Sequence, residues 1–211
     1  MKHVIIAVII LIFPVIAGAM PNHFIPRPQA EEERSQLLRV PEEVHYIDEL
    51  KTLIARKNWK QPRKMLYNVI QYPEVRRRMP TLWPVQGGGI ITSPYGLRFS
   101  PFSVTQELHT GIDIAFGPGV PIVAAADGIV TNSETNMGYG VLVVVDHSYG
   151  FSTFYGHLMR TSVKNGDIVR KGQIIGYMGS TGRAAGVHLH FEVRINSIAV
   201  NPRYFMFIHS F

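Results

Sequence analysis

The sequence predicts a mainly β fold, an antiparallel sheet or sandwich with a short helical region before it. Short β-branched and apolar runs separated by glycine-bearing turns fill the chain after Pro84, which is typical of antiparallel sheets. Asn165-Gly166 is a strong signal for a tight hairpin turn, because both residues tolerate positive φ. Before Pro84, by contrast, apolar residues recur at helical spacing, so helical sequence is expected there.

The first twenty residues have the plan of an export signal. Lys2 and His3 precede an uncharged apolar run, and Ala17-Gly18-Ala19 supplies the small residues that a signal peptidase reads. The run is shorter than the roughly 20 residues of a spanning helix. Residues 1–19 are therefore predicted to be a signal peptide, with an uncleaved anchor through residues 4–19 as the alternative. Both predict an exported protein of the periplasm or cell envelope, either free or anchored to the inner membrane.

Residues 20–81 are predicted to form a linker followed by the helical N-terminal region. Prolines and the acidic run at 31–33 are typical of a solvated linker. Helical spacing starts after Pro41, where proline and acidic side chains suit a helix N-terminus. The apolar positions of this helical pattern are Val44, Ile47, Leu50, Leu53 and Ile54.

The β-rich domain is predicted to span residues 82–206, and residues 207–211 are expected to be a C-terminal tail. A quasi-repeat covers 163–169 and 170–176, with the tight-turn signal Asn165-Gly166 in its first half. The predicted strands, in chain order, lie at 90–92, 121–123, 128–130, 141–145 and 151–155.

Composition limits the choice of partners. The chain of 211 residues carries a formal charge of +6, which favours polyanionic surroundings such as an acidic cell-wall polymer or anionic lipid. Its basic residues form no nucleic-acid-reading motif, so no nucleic-acid partner is expected. The absence of cysteine excludes disulfides and lipid attachment through a cysteine, and it argues against a structural zinc site.

Metal-ligating residue types concentrate in three short segments. In HLHFEV, alternation along a strand places His188 and His190 on one face. HTGID adds the nitrogen of His109 and the carboxylate of Asp113, and YGHL adds His157. Two imidazoles and one carboxylate make a tridentate set with a fourth position open for water, the arrangement of a catalytic zinc ion. Two histidines are then left beside the ion to move protons. Gly111 is expected to let the backbone of HTGID bend towards one point, and His147 is expected to be a surface or turn residue.

These segments resemble peptidase family M23, the LytM/lysostaphin-type zinc metallopeptidases that cut peptidoglycan. The resemblance covers Trp83 to about Pro202 and matches in order and spacing. It implies a small antiparallel β-sheet domain of the duplicated-hybrid-motif type with a groove across it. The matching segments are WPVQGGGIITSPYGLR, HTGIDIAFGPGVPIVAAADGIV, GYGVLVVVDH, YGHL, VKNGDIVRKGQIIGYMGSTG and GVHLHFEV.

The resemblance implies that His109, Asp113 and His190 bind one Zn²⁺ ion, and that His157 and His188 are the unligated catalytic pair. One imidazole would accept the proton of the metal-activated water, and the other would stabilise the oxyanion. The implied function is an exported zinc metalloendopeptidase that hydrolyses peptide stems or cross-links of peptidoglycan. The sequence leaves open which histidine does which, which bond is cut, and whether a protein partner activates the enzyme.

Three other classes of protein compete with this hypothesis. A non-catalytic M23-like module would bind the wall or regulate other hydrolases, but such modules typically lose metal ligands, and this chain keeps all five residues. A biotinyl- or lipoyl-like carrier is disfavoured because neither Lys164 nor Lys171 sits in a modification hairpin. A non-haem Fe(II) oxygenase also uses two histidines and a carboxylate, but the two additional histidines and the export signal argue against it.

Overall fold

The computed structural model describes residues 31, 32, 35 and 73–206. The predicted signal or anchor, nearly all of the linker, the apolar helical pattern after Pro41 and the tail at 207–211 lie outside these residues. No helix in the described part has the length and apolarity needed to cross a membrane. Within it, the elements are α1 (Pro73–Arg78), β1 (Ile90–Ser93), β2 (Gly96–Phe99), β3 (Gln106–His109), β4 (Ile112–Ala115), β5 (Pro121–Val123), β6 (Gly128–Asn136), β7 (Gly140–Asp146), β8 (Phe151–Thr161), β9 (Ile168–Val169), β10 (Ile174–Met178), β11 (Leu189–Ile195), β12 (Ile198–Val200) and α2 (Arg203–Met206).

One ten-stranded antiparallel sheet dominates the described part. Its main path runs β1-β4-β11-β8-β7-β6-β9, while β10 pairs with β5 and β8, and β12 pairs with β11. Strands β2 and β3 form a separate two-stranded hairpin. The predicted mainly β, antiparallel fold is therefore confirmed. Strands β11, β8 and β7 are the three central strands of this path and contribute large core residues such as Tyr155 and Phe191.

Strand β11 separates the core from the side on which the polar residues meet. Leu189, Phe191 and Val193 are completely buried in the apolar core, as the alternation of a strand requires. The intervening residues, His190 and Glu192, point to the other face but are also buried. Buried polar groups need hydrogen-bond partners, so this second face must be satisfied by a polar network.

Residues immediately before position 82 pack on the same core. Val75 and Met79 are 5% and 0% exposed, and the backbone N–H of Asp127 donates to the carbonyl of Arg77 at 2.8 Å. Helix α1 therefore packs against the sheet through its apolar side, while Arg76 and Arg77 stay exposed. The predicted domain start at residue 82 stays a prediction.

The expectation that His147 lies at the surface is wrong. This residue, just after β7, has no exposed surface. Its Nδ1 lies 2.8 Å from the carbonyl of Asp127 and its Nε2 lies 2.7 Å from the hydroxyl of Thr153, which lies 2.9 Å from the hydroxyl of Tyr155. The motif VDH does not indicate this burial, because the hydrogen-bond partners of His147 are brought to it only by long-range pairing of the strands. Burial lowers the pKa of His147 to about 4, outweighing its hydrogen bond to Asp127.

Acid should therefore destabilise the fold through His147. The unfolded chain binds a proton at His147 near pH 6.5, whereas the folded protein binds it only near pH 4. Stability is then lost as the pH falls from about 6.5 to about 4, by roughly 3 kcal/mol at most. We expect urea unfolding to show this loss, and the His147→Asn variant to show a flatter pH dependence over the same range. An identical slope in both proteins would contradict the assignment.

Candidate metal centre

Neighbouring strands bring the predicted site residues to one end of the sheet. Asp113 on β4 lies directly opposite His190 on β11. On the other side of β11, His190 lies opposite Gly156 of β8, the residue before His157. His109 is the last residue of β3, and the turn to β4 places it four residues before Asp113. The sheet register thus assembles residues that are up to 81 positions apart in sequence.

Gly111 is needed for close packing rather than for an unusual bend. Its φ is not among the positive values of the chain. A Cβ atom at this position would lie 2.4 Å from the carbonyl oxygen of Phe191, closer than any side chain tolerates. Glycine therefore allows the turn between β3 and β4 to pack directly against β11, which keeps His109 within reach of His190.

Three ligand atoms converge at the end of β4 and β11. His109 Nε2 lies 3.1 Å from Asp113 Oδ1 and 3.1 Å from His190 Nδ1, and His190 Nδ1 lies 3.0 Å from Asp113 Oδ1. Zinc–nitrogen bonds near 2.0–2.1 Å place tetrahedral ligand atoms about 3.3 Å apart. The observed triangle is close to that size, and all three residues are buried.

The remaining nitrogen of each ring is held by an acceptor. His109 Nδ1 lies 2.8 Å from the carbonyl of Pro94, so in the neutral ring it donates its proton there. His190 Nε2 lies 3.0 Å from Glu192 Oε1 and donates in the same way. The lone pairs of His109 Nε2 and His190 Nδ1 then face each other and Asp113 Oδ1. Three facing lone pairs require a cation between them, so the donor set fits a metal ion.

Glu192 is the centre of a buried hydrogen-bond network behind His190. Besides His190, it accepts hydrogen bonds from Thr110 Oγ1, from the Tyr139 hydroxyl at 2.7 Å and from Arg194 Nε at 2.7 Å. Burial raises its pKa, but these hydrogen bonds prevail and lower it to about 2. Glu192 is therefore ionised at neutral pH and orients the ring of His190, as carboxylates commonly do for metal-binding histidines.

Asp113 is held on its outer oxygen by Arg98. The guanidinium donates to Asp113 Oδ2 at 3.1 Å and also to the hydroxyl of Ser93. Oδ1 is thereby left for the side where His109 and His190 meet. Burial raises the pKa of Asp113, but its close contacts with His109 and His190 outweigh burial and hold the pKa well below its usual range.

His157 and His188 lie beside this triangle. Their ring centroids are 4.7 Å apart, and His188 Nε2 lies 3.6 Å from Asp113 Oδ1. His157 Nδ1 lies 2.8 Å from the carbonyl of Thr181, and His188 Nδ1 lies 2.9 Å from that of Gly186. In the neutral rings Nδ1 donates, so each Nε2 is left as a base facing the groove.

His157 also has an unusual backbone. Its φ is +61°, a region that costs a non-glycine residue of order 1 kcal/mol or more. Its N–H donates to the carbonyl of Tyr139 at 2.7 Å, which fixes this conformation. Burial lowers the pKa of His157 to about 4, so the ring is neutral at physiological pH. Such local strain is concentrated at functional sites.

A groove of about 590 Å³ contains all five predicted residues. Besides these five residues, the loop at 100–105 and the loop at 179–188 line the groove. Arg98 and Tyr139 also line it, and sequence reasoning missed both, as it missed the supporting role of Glu192. A signal for Glu192 was present, since an acidic residue inside a strand of otherwise buried positions needs partners.

Arg98 offers a test of how the carboxylate is held. We expect Arg98→Ala to weaken zinc binding about 10- to 100-fold, the usual effect of removing an outer partner of a ligand. Because Arg98 pairs with a carboxylate whose side chain is only 10% exposed, the thermal midpoint is measured as well, to establish that the variant is folded. Competition with a chromophoric chelator measures the affinity. Arg160→Ala is the control, because Arg160 lies outside the groove; equal affinities in the two variants would contradict the role of Arg98.

Comparison with known proteins places this geometry in a family. Residues 107–202 match the model of peptidase family M23. The DD-carboxypeptidase/endopeptidase Mpg of Neisseria meningitidis is 48% identical over 112 residues, which are 53% of this chain and 26% of that protein. The peptidoglycan DD-endopeptidase ShyC of Vibrio cholerae is 43% identical over 106 residues, which are 50% of this chain and 24% of that protein. The chain thus spans about a quarter of the length of these relatives.

A solved structure matches this chain over nearly all of its own length. The catalytic domain of the prophage-encoded M23 protein EnpA from Enterococcus faecalis is 36% identical to this chain, with a TM-score of 0.50. The alignment covers 56% of this chain and 91% of the EnpA domain. The range that the family model matches, 107–202, contains the four histidines and the aspartate that line the groove. The chain therefore belongs to peptidase family M23.

Proposed function

We propose that this chain is an exported zinc endopeptidase that hydrolyses the peptides of peptidoglycan. The observation that carries the proposal is the convergence of His109 Nε2, Asp113 Oδ1 and His190 Nδ1 within 3.1 Å of one another. Two further imidazoles lie on the same groove. Export is inferred from the signal-like residues 1–19, which lie outside the described part.

His109, Asp113 and His190 would hold the ion, which leaves a fourth position for water or substrate. Bound Zn²⁺ would supply a Lewis acid that polarises the scissile carbonyl and makes a water molecule a nucleophile near neutral pH. Neighbouring residues hold the three ligands in the orientation that this chemistry needs. Pro94 and Glu192 fix the two rings, and Arg98 restrains the carboxylate, so little reorganisation is needed on binding.

His157 and His188 would handle the protons of the reaction. Each presents Nε2 to the groove because its Nδ1 donates to a backbone carbonyl. A neutral imidazole can accept the proton of the attacking water and return it to the leaving amine. The other ring would enter the step as an imidazolium, with its extra proton taken from solvent, and would donate a hydrogen bond to the developing oxyanion. The backbone carbonyls at Nδ1 fix the orientation of both rings. Each Nε2 therefore needs no reorientation between uptake and release of a proton.

The substrate class is supported by the names of the relatives and by the chemistry of the wall. Mpg is named a DD-carboxypeptidase/endopeptidase and ShyC a peptidoglycan DD-endopeptidase, and we propose the same class of bond for this chain. The formal charge of +6 favours residence on an anionic polymer. The open groove between two loops suits an extended peptide.

Digestion of purified sacculi by the zinc-loaded full chain tests the proposal. We expect mass spectrometry to detect fragments cut at one type of bond between D-residues, with release stopped by a chelator and restored by zinc. The matched control is the His188→Ala variant, which should bind zinc but release almost nothing. A zinc-loaded wild-type protein that binds sacculi and releases no fragment would contradict the enzyme and favour a non-catalytic wall-binding module.

A further inference from the structure

We propose that Arg183 is a specificity residue that binds a free carboxylate of the peptide substrate. The inference rests on the proposed function and names a feature that its substrate must carry. Arg183 is exposed and lines the same groove as the histidines. It takes no part in holding the metal ligands. Its backbone, its side chain and the charges around it each bear on this role.

The backbone at Arg183 is anchored to the loop between β6 and β7. Its N–H donates to the carbonyl of Gly138 at 2.8 Å. The preceding Gly182 has φ +70°, and a Cβ there would lie 2.2 Å from the nitrogen of Gly140. Thr181 is held at its hydroxyl by the N–H of Val141 at 2.9 Å. Arg183 thus extends from a fixed base, which a recognition residue requires.

The side chain of Arg183 reaches from the loop at 179–188 to the loop at 100–105. Its guanidinium carbon lies 4.6 Å from the centre of the Phe102 ring, and Nη2 lies 3.5 Å from the hydroxyl of Ser100. Both partners are in the loop at 100–105. Stacking on an aromatic face orients a guanidinium but does not neutralise its charge. Most of its N–H groups also remain available to donate hydrogen bonds.

The other charged residues of the groove neutralise one another. Arg98 pairs with Asp113 at 3.1 Å and with Glu107 at 3.6 Å. Among the residues that the structure describes, no carboxylate lies within ion-pair distance of Arg183. A planar guanidinium is well suited to bind a carboxylate through two parallel hydrogen bonds. Wall peptides carry such groups on acidic side chains and at their carboxyl termini.

Three synthetic wall peptides test the inference. One has all carboxylates free, one has its terminal carboxylate amidated, and one has its side-chain carboxylates amidated. For the zinc-loaded wild-type protein, we expect one of the amidations to lower kcat/KM about 10- to 100-fold, as the loss of a charged hydrogen-bonded pair does. The amidation that has this effect identifies the source of the carboxylate. Arg183→Gln should cut all three peptides at the lower rate.

Binding measured without turnover separates this inference from the proposed function. In the zinc-loaded His157→Asn background, calorimetry should show the same preference for the free carboxylate, and Arg183→Gln should remove it. Arg160→Gln is the matched control, because Arg160 also stacks on an aromatic ring, that of Tyr177 at 3.7 Å, but outside the groove. Cleavage and binding that ignore amidation would overturn the role of Arg183 alone. Carboxylate-dependent binding with no cleavage of any peptide would support Arg183 and contradict the endopeptidase.

Discussion

Asp113→Ala is expected to lose bound zinc and, with it, hydrolysis. The substitution removes the only anionic member of the triangle and leaves two neutral imidazoles to hold the ion. We expect zinc affinity to fall by more than about 100-fold, beyond the effect of outer partners, and the rate to fall by about 1,000-fold or more. Zinc content after dialysis and fragment release from sacculi are the two measurements.

The matched control for this substitution is Glu134→Ala. Glu134 is an exposed carboxylate on β6, so its removal changes the net charge equally and should leave both zinc content and rate unchanged. His109→Ala and His190→Ala should behave like Asp113→Ala, since each supplies one atom of the triangle. Full zinc occupancy in the Asp113→Ala protein would contradict the ligand assignment.

Substitution of either unligated histidine is expected to separate metal binding from catalysis. His157→Asn and His188→Ala should keep one zinc ion per chain and lose about 100- to 10,000-fold in kcat, the usual contribution of a general acid or base. Asparagine is chosen at position 157 because it tolerates the positive φ of that residue. Zinc content and kcat measured on the same preparations decide the outcome.

The double variant sharpens this test. Residues that act in one proton-transfer step give strongly non-additive losses, so His157→Asn with His188→Ala should be only slightly slower than the worse single variant. Losses that multiply would indicate that the two rings act in separate steps. A single variant that keeps full activity would remove that histidine from the mechanism.

Short sequence patterns predict the antiparallel fold and the five histidine and aspartate residues that line the groove. The alternation of HLHFEV placed His190 and Leu189 on opposite faces, and the structure buries Leu189 in the core. The glycine-bearing turns marked the ends of short strands, and the sheet is antiparallel as predicted. Both predictions depend only on residues that are close in sequence. In a strand, the two-residue period alone determines which face each side chain takes.

Long-range contacts were beyond the reach of those patterns. His147 looked like a turn residue, yet pairing of β6, β7 and β8 encloses it among Asp127 and Thr153. Arg98 restrains Asp113 only because β1, the β2–β3 hairpin and β4 meet in space. The positive φ of His157 accompanies a hydrogen bond from its N–H to the carbonyl of Tyr139. A positive φ is uncommon in any residue other than glycine, so the residue type does not predict it. The spacing of residues in the sequence does not show which distant residues will be in contact in the fold.

We infer that a single metal ion bound by His109, Asp113 and His190 gives this chain its activity on wall peptides. The most direct test of this inference is a titration of the metal-free full chain with zinc while fragment release from purified sacculi is followed. We predict that the rate rises linearly up to one equivalent of zinc and is then constant, and that the Asp113→Ala protein stays inactive throughout. Release of fragments at an undiminished rate by the metal-free protein would contradict a role of the metal ion in hydrolysis.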